Sequence, residues 1–526
     1  MRNKKNEVSL IQKVLAQISI FIFILLTSIP VLAADGATGK PWYTGIAPIA
    51  MLLAVIAFVL WRLPEVKEDP KKPGELAHLK DKKYRRRRSI NWLVLGVMYA
   101  FLYWGRYNLN GAIINLGGKE MLETFNWVFG AGTITYGVSF LLNGPLTDRF
   151  GGRFSILVGV FGAAVANLAM GIACWLSLTG EITANQLFWS LIVIYPVNMY
   201  FQSFGAVAIV KCNSAWFHVR ERGVFGAIFG ILIAMGIYFA FDWTSQILDT
   251  WKLPVNWAFF APAAALGIMF VVGYLIVRNK PSEAGYRDIK TGDTTSGESG
   301  PSDPPLQVFK EMFNYKDKET GIRVIMFIAC IEFCSGFLRQ AIMQIYRPFA
   351  KAIGATDSFV YHNWGLLLCC GGILGGVFAG TISDHFFKAR RGPVAAILYV
   401  GMFLGSVGLC FLLGSPYLAW VVVFMSMFVI GIHGMLSGTA SMDFGGSRNA
   451  GIAVGMIDGF VYAGTGLQAV LYALTLPESG SEAAKDPSAW WFWPMAMIPF
   501  AVIGLILAYK IRKCKPKPRS DAACKA

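Results

Sequence analysis

Gly144-Pro-Leu-Thr-Asp148-Arg149-Phe-Gly151-Gly-Arg153 and Gly380-Thr-Ile-Ser-Asp384-His-Phe-Phe-Lys388-Ala-Arg390-Arg391-Gly392 are two versions of one turn. Each places a small residue, an Asp and several cations in a short polar break between long apolar runs. The Asp suits the N-terminus of the helix that follows, and the cations can hold neighbouring helices together. One such turn is a weak signal. Its recurrence at matching places in two halves of a chain marks an internal repeat.

Working outward from these turns, twelve apolar segments lie near 90–114, 126–147, 154–178, 186–211, 224–247, 257–278, 323–349, 361–383, 393–413, 416–440, 451–475 and 489–510. Backbone in hydrocarbon must satisfy its own hydrogen bonds, so each is expected to be a helix. The polar stretch 279–322 divides them six and six. The composition agrees. The 526 residues are 55% hydrophobic and only 15% charged, against about 25% charged in soluble domains. Mean hydropathy is +0.52. An all-α polytopic membrane protein follows, and a disordered chain, a collagen and an ordinary soluble enzyme are excluded.

The net charge of +16 is distributed as a topology signal rather than as a nucleic-acid surface. Loops after the second, fourth, sixth, eighth and tenth segments carry Arg149 and Arg153; Arg220 and Arg222; Arg278 through Lys318; Lys388, Arg390 and Arg391; and Arg448. The intervening loops offer little beyond Lys119, Lys252, Lys351 and Lys485. Positive loops stay inside, so both ends of the twelve-segment unit are expected to be cytoplasmic in a multi-pass protein of the bacterial cell membrane. The basic tail 511–526 agrees.

Ahead of this unit, residues 1–34 read as a signal peptide or an uncleaved signal anchor: Arg2, Lys4, Lys5 and Lys13 precede an apolar run, and Val31-Leu-Ala-Ala34 offers small residues for cleavage. An extra transmembrane helix is expected at 46–61. The linker 62–89 holds eleven Lys or Arg and reads as a cytoplasmic topology anchor. The nine Cys fall mostly within apolar segments, where Cys packs as a small hydrophobe. No nucleophile elbow, metal cluster or nucleotide fingerprint is present, so neither an enzyme nor a cofactor is expected.

Two charges stand where charge is costly. Arg106 lies in the first segment and Arg339 in the seventh, 42 residues before Asp148 and 45 before Asp384. They therefore occupy nearly equivalent places in the two repeats and are expected to face each other. Arg at mid-membrane costs roughly 2.5–3.5 kcal/mol on insertion scales. Either a buried carboxylate neutralises each, Glu332 and Asp458 being the candidates, or the pair holds an anion between two guanidinium forks. Tyr103, Tyr107, Asn108, Asn110 and Asn143 from the amino half, and Gln340, Gln344, Tyr346 and Asn363 from the carboxyl half, are candidates to line the same cavity, or else to bond helix to helix. Lys211 is expected to snorkel, and His433 and His362 read as isolated structural groups.

The doubled turn, with Gly144, Asp148, Arg149, Arg153 and Asp384 as its gating residues, resembles that of the major facilitator superfamily over residues 90–510. The resemblance implies two six-helix bundles, 90–278 and 323–510, joined by the loop 279–322 and rocking about a central cavity. A narrower resemblance, to the organophosphate:phosphate antiporter family, rests on the first-segment Tyr103-x-x-Arg106-x-Asn108, on Arg339, on Ala215-Trp216-Phe217-x-x-x-Glu221-Arg222-Gly223 and on Asn449-Ala-Gly451-x-x-x-Gly455. It implies that Arg106 and Arg339 bind a phosphate group and that an organic phosphate, of glycerol-3-phosphate or sugar-phosphate type, is exchanged for inorganic phosphate. Three positions depart from the family: Phe140 stands for a Lys, Ala215 for a His, and Cys369 for an acidic residue. Two other readings stay open. Asp458 or Glu332 could carry a proton in a transporter of another organic anion. Some relatives are membrane sensors, for which the basic linker would be the signalling-partner surface.

Overall fold

The computed structural model describes residues 77–514, apart from 117–119, 219–229, 232, 290, 292–303, 318–319, 388–390, 441–448 and 479. The signal segment 1–34, the extra helix 46–61, most of the basic linker, the middle of the 279–322 loop and most of the basic tail lie outside the described residues.

Helices occupy all twelve apolar segments. They are α1 (Lys82–Leu116), α2 (Glu120–Phe150), α3 (Gly152–Leu178), α4 (Ala184–Ser214), α5 (described over 230–250), α6 (Trp257–Ile276), α7 (Val324–Ala352), α8 (Trp364–Phe386), α9 (Arg391–Leu412), α10 (Leu418–His433), α11 (Ala450–Thr475) and α12 (Phe492–Lys510). Eight helices among the described residues are long and apolar enough to cross a membrane on length and composition alone. α1, α2, α5 and α8 fill the other four segments. α1 starts at Lys82, so Arg85 to Arg88 stand on its first turns. There Tyr84 donates its hydroxyl to Trp216 O at 3.1 Å and Arg87 donates to Ile276 O at 2.6 Å. Tyr84 and Arg87 thus tie the start of α1 to the turn after α4 and to α6, while Arg85 and Arg86 stay exposed.

Local chemistry sets several ends. Thr183 and Gln186 form a capping box at the start of α4, with Gln186 N donating to Thr183 Oγ1 and Thr183 N to Gln186 Oε1. α5 ends in π-helical turns, Phe239–Trp243 and Gln246–Thr250, and α10 runs into another, Gly434–Ala440.

α3 packs on α4 and α6, and α9 packs on α10 and α12. Across the midline α2 lies against α11, and α5 against α8. The outer face exposes Val193, Ile268, Leu404 and Phe411, as a lipid-facing surface requires. Exposed Trp127, Trp175, Trp189, Trp251, Trp257 and Trp491 ring the end opposite the basic loops, the placement of an interfacial aromatic belt.

Candidate substrate site

Arg106 and Arg339 come from α1 and α7, on opposite bundles, and are 1% and 3% exposed. They converge on α11. Arg106 Nη1 donates to Tyr462 Oη at 2.9 Å, and the guanidinium carbon of Arg339 sits 5.4 Å from the centre of the Tyr462 ring. Arg106 is further wrapped by the rings of Tyr136 at 4.3 Å, Tyr103 at 4.5 Å and Tyr107 at 5.8 Å, and Nη2 reaches Gln202 Oε1 at 3.5 Å. Nε of Arg106 and all three guanidinium nitrogens of Arg339 are buried without a hydrogen-bond partner. Among the described residues neither arginine lies within ion-pair distance of a carboxylate. Aromatic faces hold two cations in place while leaving most of the Arg339 donors and Nε of Arg106 unused.

Of the two alternatives, neutralisation of the arginines by Glu332 or Asp458 is therefore not what the structure shows. Fully buried Glu332 instead puts Oε2 at 3.2 Å from Nδ1 of His433 on α10. Asp458, buried on α11, accepts the hydroxyl of Ser437 on Oδ1. His433 is consequently no isolated histidine. Its partner is 101 residues away in sequence, too far for any local pattern to reveal.

Gln340 Nε2 donates to Tyr107 Oη at 2.8 Å, tying α7 to α1 beside the arginines, while its Oε1 has no partner. Asn110 is buried with both amide atoms unpartnered, and Gln344 Nε2 is likewise unpartnered. Other candidates serve packing. Asn108 donates to Asn167 Oδ1 and Ala258 O, and Asn143 donates to Ser203 Oγ and Tyr200 O. Tyr346 packs on Trp364 and hydrogen-bonds Ser358, and Asn363 donates to Phe359 O; both belong to the end of the bundles away from the basic loops, not to the arginines. Phe140, at the place where the family resemblance implied a Lys, stacks on the Tyr462 ring at 5.7 Å and braces the tyrosine between the arginines. Cys369 packs in an apolar cluster with Ile231, Ala234 and Leu366.

Each end of the bundles is fastened by a carboxylate. At the basic-loop end, Asp148 of α2 accepts from Gly451 N at 3.1 Å and Ile452 N at 2.9 Å, the first-turn donors of α11, and pairs with Lys211 Nζ at 2.7 Å. This corrects two expectations: Asp148 caps a helix of the other bundle rather than the one that follows it, and Lys211 is its ion-pair partner rather than a snorkelling side chain. Arg153 secures the same turn by donating to Tyr274 O at 2.7 Å, whereas Arg149 is exposed beside Phe150. The side chain of Asp384 lies outside the described residues. At the opposite end, Asp242 of α5 accepts from Gly365 N at 2.9 Å and Leu366 N at 2.7 Å, the first-turn donors of α8, and Arg347 of α7 donates to Ser245 Oγ at 3.1 Å. With both ends closed, the arginines are enclosed between the bundles.

This is an enclosed, two-bundle helical core, and residues 95–469 match the family model described as Major Facilitator Superfamily. The chain belongs to the major facilitator superfamily. It is therefore a multi-pass membrane transporter of the inner membrane rather than an enzyme. Among its relatives is the glycerol-3-phosphate transporter of Bacillus subtilis (strain 168), 27% identical over 414 residues, covering 73% of this chain and 85% of that one. Another is the membrane sensor protein UhpC of Escherichia coli (strain K12), 25% identical over 403 residues, covering 74% and 85%. The superfamily fold is shared with the xylose transporter XylE from E. coli in a partially occluded inward open conformation, at TM-score 0.55 and 14% identity, covering 79% of this chain and 97% of that one.

Sequence reasoning missed four residues of this superfamily core: Tyr462, Tyr136, Gln202 and Asp242. Asp242 had a signal, being an acid inside an apolar segment, as unusual there as Arg106. Tyr136 and Tyr462 carried none, because a tyrosine in an apolar run reads as core until its neighbours are known.

Proposed function

We propose that this chain is a secondary carrier that exchanges a small organic phosphate, of glycerol-3-phosphate or sugar-phosphate type, for inorganic phosphate by alternating access. The phosphoryl group binds between Arg106 and Arg339, with Tyr103, Tyr107, Asn110, Gln340 and Gln344 around it and no cofactor. The observation that carries this reading is a pair of buried guanidinium groups, one per bundle, without a carboxylate partner and with Nε of Arg106 and the three nitrogens of Arg339 lacking a hydrogen-bond acceptor. An anion bridging them would join the two bundles at mid-depth. The bundles 90–278 and 323–510 then rock about it, with the basic loops on the cytoplasmic side and Gly144, Asp148, Arg149, Arg153 and Asp384 governing that gate. Without an anion the two cations repel each other, so the empty carrier crosses slowly and exchange outpaces net flow.

The test is exchange in vesicles reconstituted with the purified protein and loaded with labelled inorganic phosphate, challenged outside with glycerol, hexose and triose phosphates. Efflux is expected with phosphate and at least one ester. It is expected to vanish in Arg106→Lys and Arg339→Lys, because an ammonium cannot make the two-pronged contact although both variants insert. Normal exchange in both variants sinks the two-fork site. Membrane sensing is the second reading, favoured by the likeness to UhpC, with 62–89 as the surface for a signalling partner. Saturable binding of an ester without any exchange would select it.

A further inference from the structure

Glu332 and His433 take no part in holding the arginines, yet they are sealed in the carboxyl-half bundle. Glu332 is on α7, with Oε2 3.2 Å from His433 Nδ1 and Oε1 buried without a hydrogen-bond partner. The hydroxyl of Ser335, one turn on, is also buried and acts on the Glu332 carboxyl. The titratable and charged groups around the pair are Arg339 and Cys334 on the same helix, Tyr399 on α9, Asp458 and Tyr462 on α11, and Arg106 across the midline. Tyr399 donates its hydroxyl to Ile331 O, and Asp458 accepts the Ser437 hydroxyl on Oδ1. Glu332 is the carboxyl group of this set that faces a histidine.

We propose that the Glu332–His433 pair is a proton-binding site that loads when an anion binds between Arg106 and Arg339. This rests on the arginine site being the anion site. The argument is charge balance in a region where an uncompensated charge is expensive. Empty, the site holds two guanidinium cations, and the positive field of Arg339 reaches both Glu332 and His433 and opposes a proton there. A phosphate dianion between the arginines neutralises that field and lets the pair take up a proton. One proton from water then joins the pair, as a carboxylic acid hydrogen-bonded to neutral imidazole or as carboxylate with imidazolium. Either way the pair passes from a charge of minus one to zero, and the proton leaves when the anion does. Anion and proton are therefore carried together.

The experiment adds inorganic phosphate to the full-length protein in weakly buffered detergent solution, recording protons taken up with an indicator dye and phosphate bound by calorimetry. Wild type is expected to take up about one more proton per phosphate bound than Glu332→Gln, the protonation of phosphate itself being common to both. Its phosphate affinity should also strengthen as pH falls, in excess of the variant's dependence. Glu332→Ala serves the same comparison if Glu332→Gln does not fold. Equal uptake in wild type and variants overturns the proton site and leaves the anion site standing. Failure of wild type to bind phosphate or any organic phosphate overturns the anion site itself, and with it the proton site.

Discussion

Tyr462 stands between two guanidinium groups, its hydroxyl on one and its ring beside the other. Tyr462→Phe removes only the acceptor of Arg106 Nη1. A hydrogen bond to a charged donor is worth about 1.5–3 kcal/mol, so the empty variant is expected to melt earlier than wild type, by an amount that added phosphate largely restores. Thermal unfolding with and without phosphate measures both. No difference between the empty proteins would mean that the hydroxyl contributes nothing to holding Arg106. At this scale the sequence was half legible. Arg106 and Arg339 announced themselves because charge in an apolar run needs a reason, and their nearly equal spacing from the doubled turn paired them. Their partners were hidden for the converse reason. Phe140, Tyr136 and Tyr462 look alike in one dimension, and only packing makes the two tyrosines part of a cation cage.

At the level of helices, two carboxylates do the work of N-caps from a distance. Asn449 makes no side-chain cap for α11, and Asp148 supplies it from α2. The approach needed for this depends on Gly144 and Gly451, where a Cβ on either would lie within 2.7 Å of the other's carbonyl oxygen. Losing an N-cap costs about 0.5–2 kcal/mol, so Asp148→Ala and Asp242→Ala should each move the open–closed balance roughly fivefold, at opposite ends. Electron-resonance distances between spin labels across each end are expected to lengthen at the basic-loop end in the first variant and at the other end in the second. Opening at the same end in both would discredit the two fastenings. The helices themselves were readable from the apolar runs, and so was the importance of the Asp148 turn. Its partner was not, because a cap reaching 303 residues along the chain leaves no periodic trace.

For the whole molecule, we propose that the end whose loops gather the cations is cytoplasmic, because positive loops stay inside. A phosphatase fused after Thr179, in the loop between α3 and α4, is expected to be active only outside the cytoplasm. A fluorescent protein fused after Lys513 should fluoresce from within it. The reverse pattern would invert the proposed topology.

The fastenings at the two ends are built alike. Each offers one carboxylate from the amino-half bundle to two first-turn N–H groups of a carboxyl-half helix, with one cationic side chain adding a further contact. Latches of one kind at both ends put no one-way stop into the protein. Such a carrier is a reversible turnstile: the combined gradients of what it carries set the way it moves, and the same molecule that feeds a cell in one medium would empty it in another.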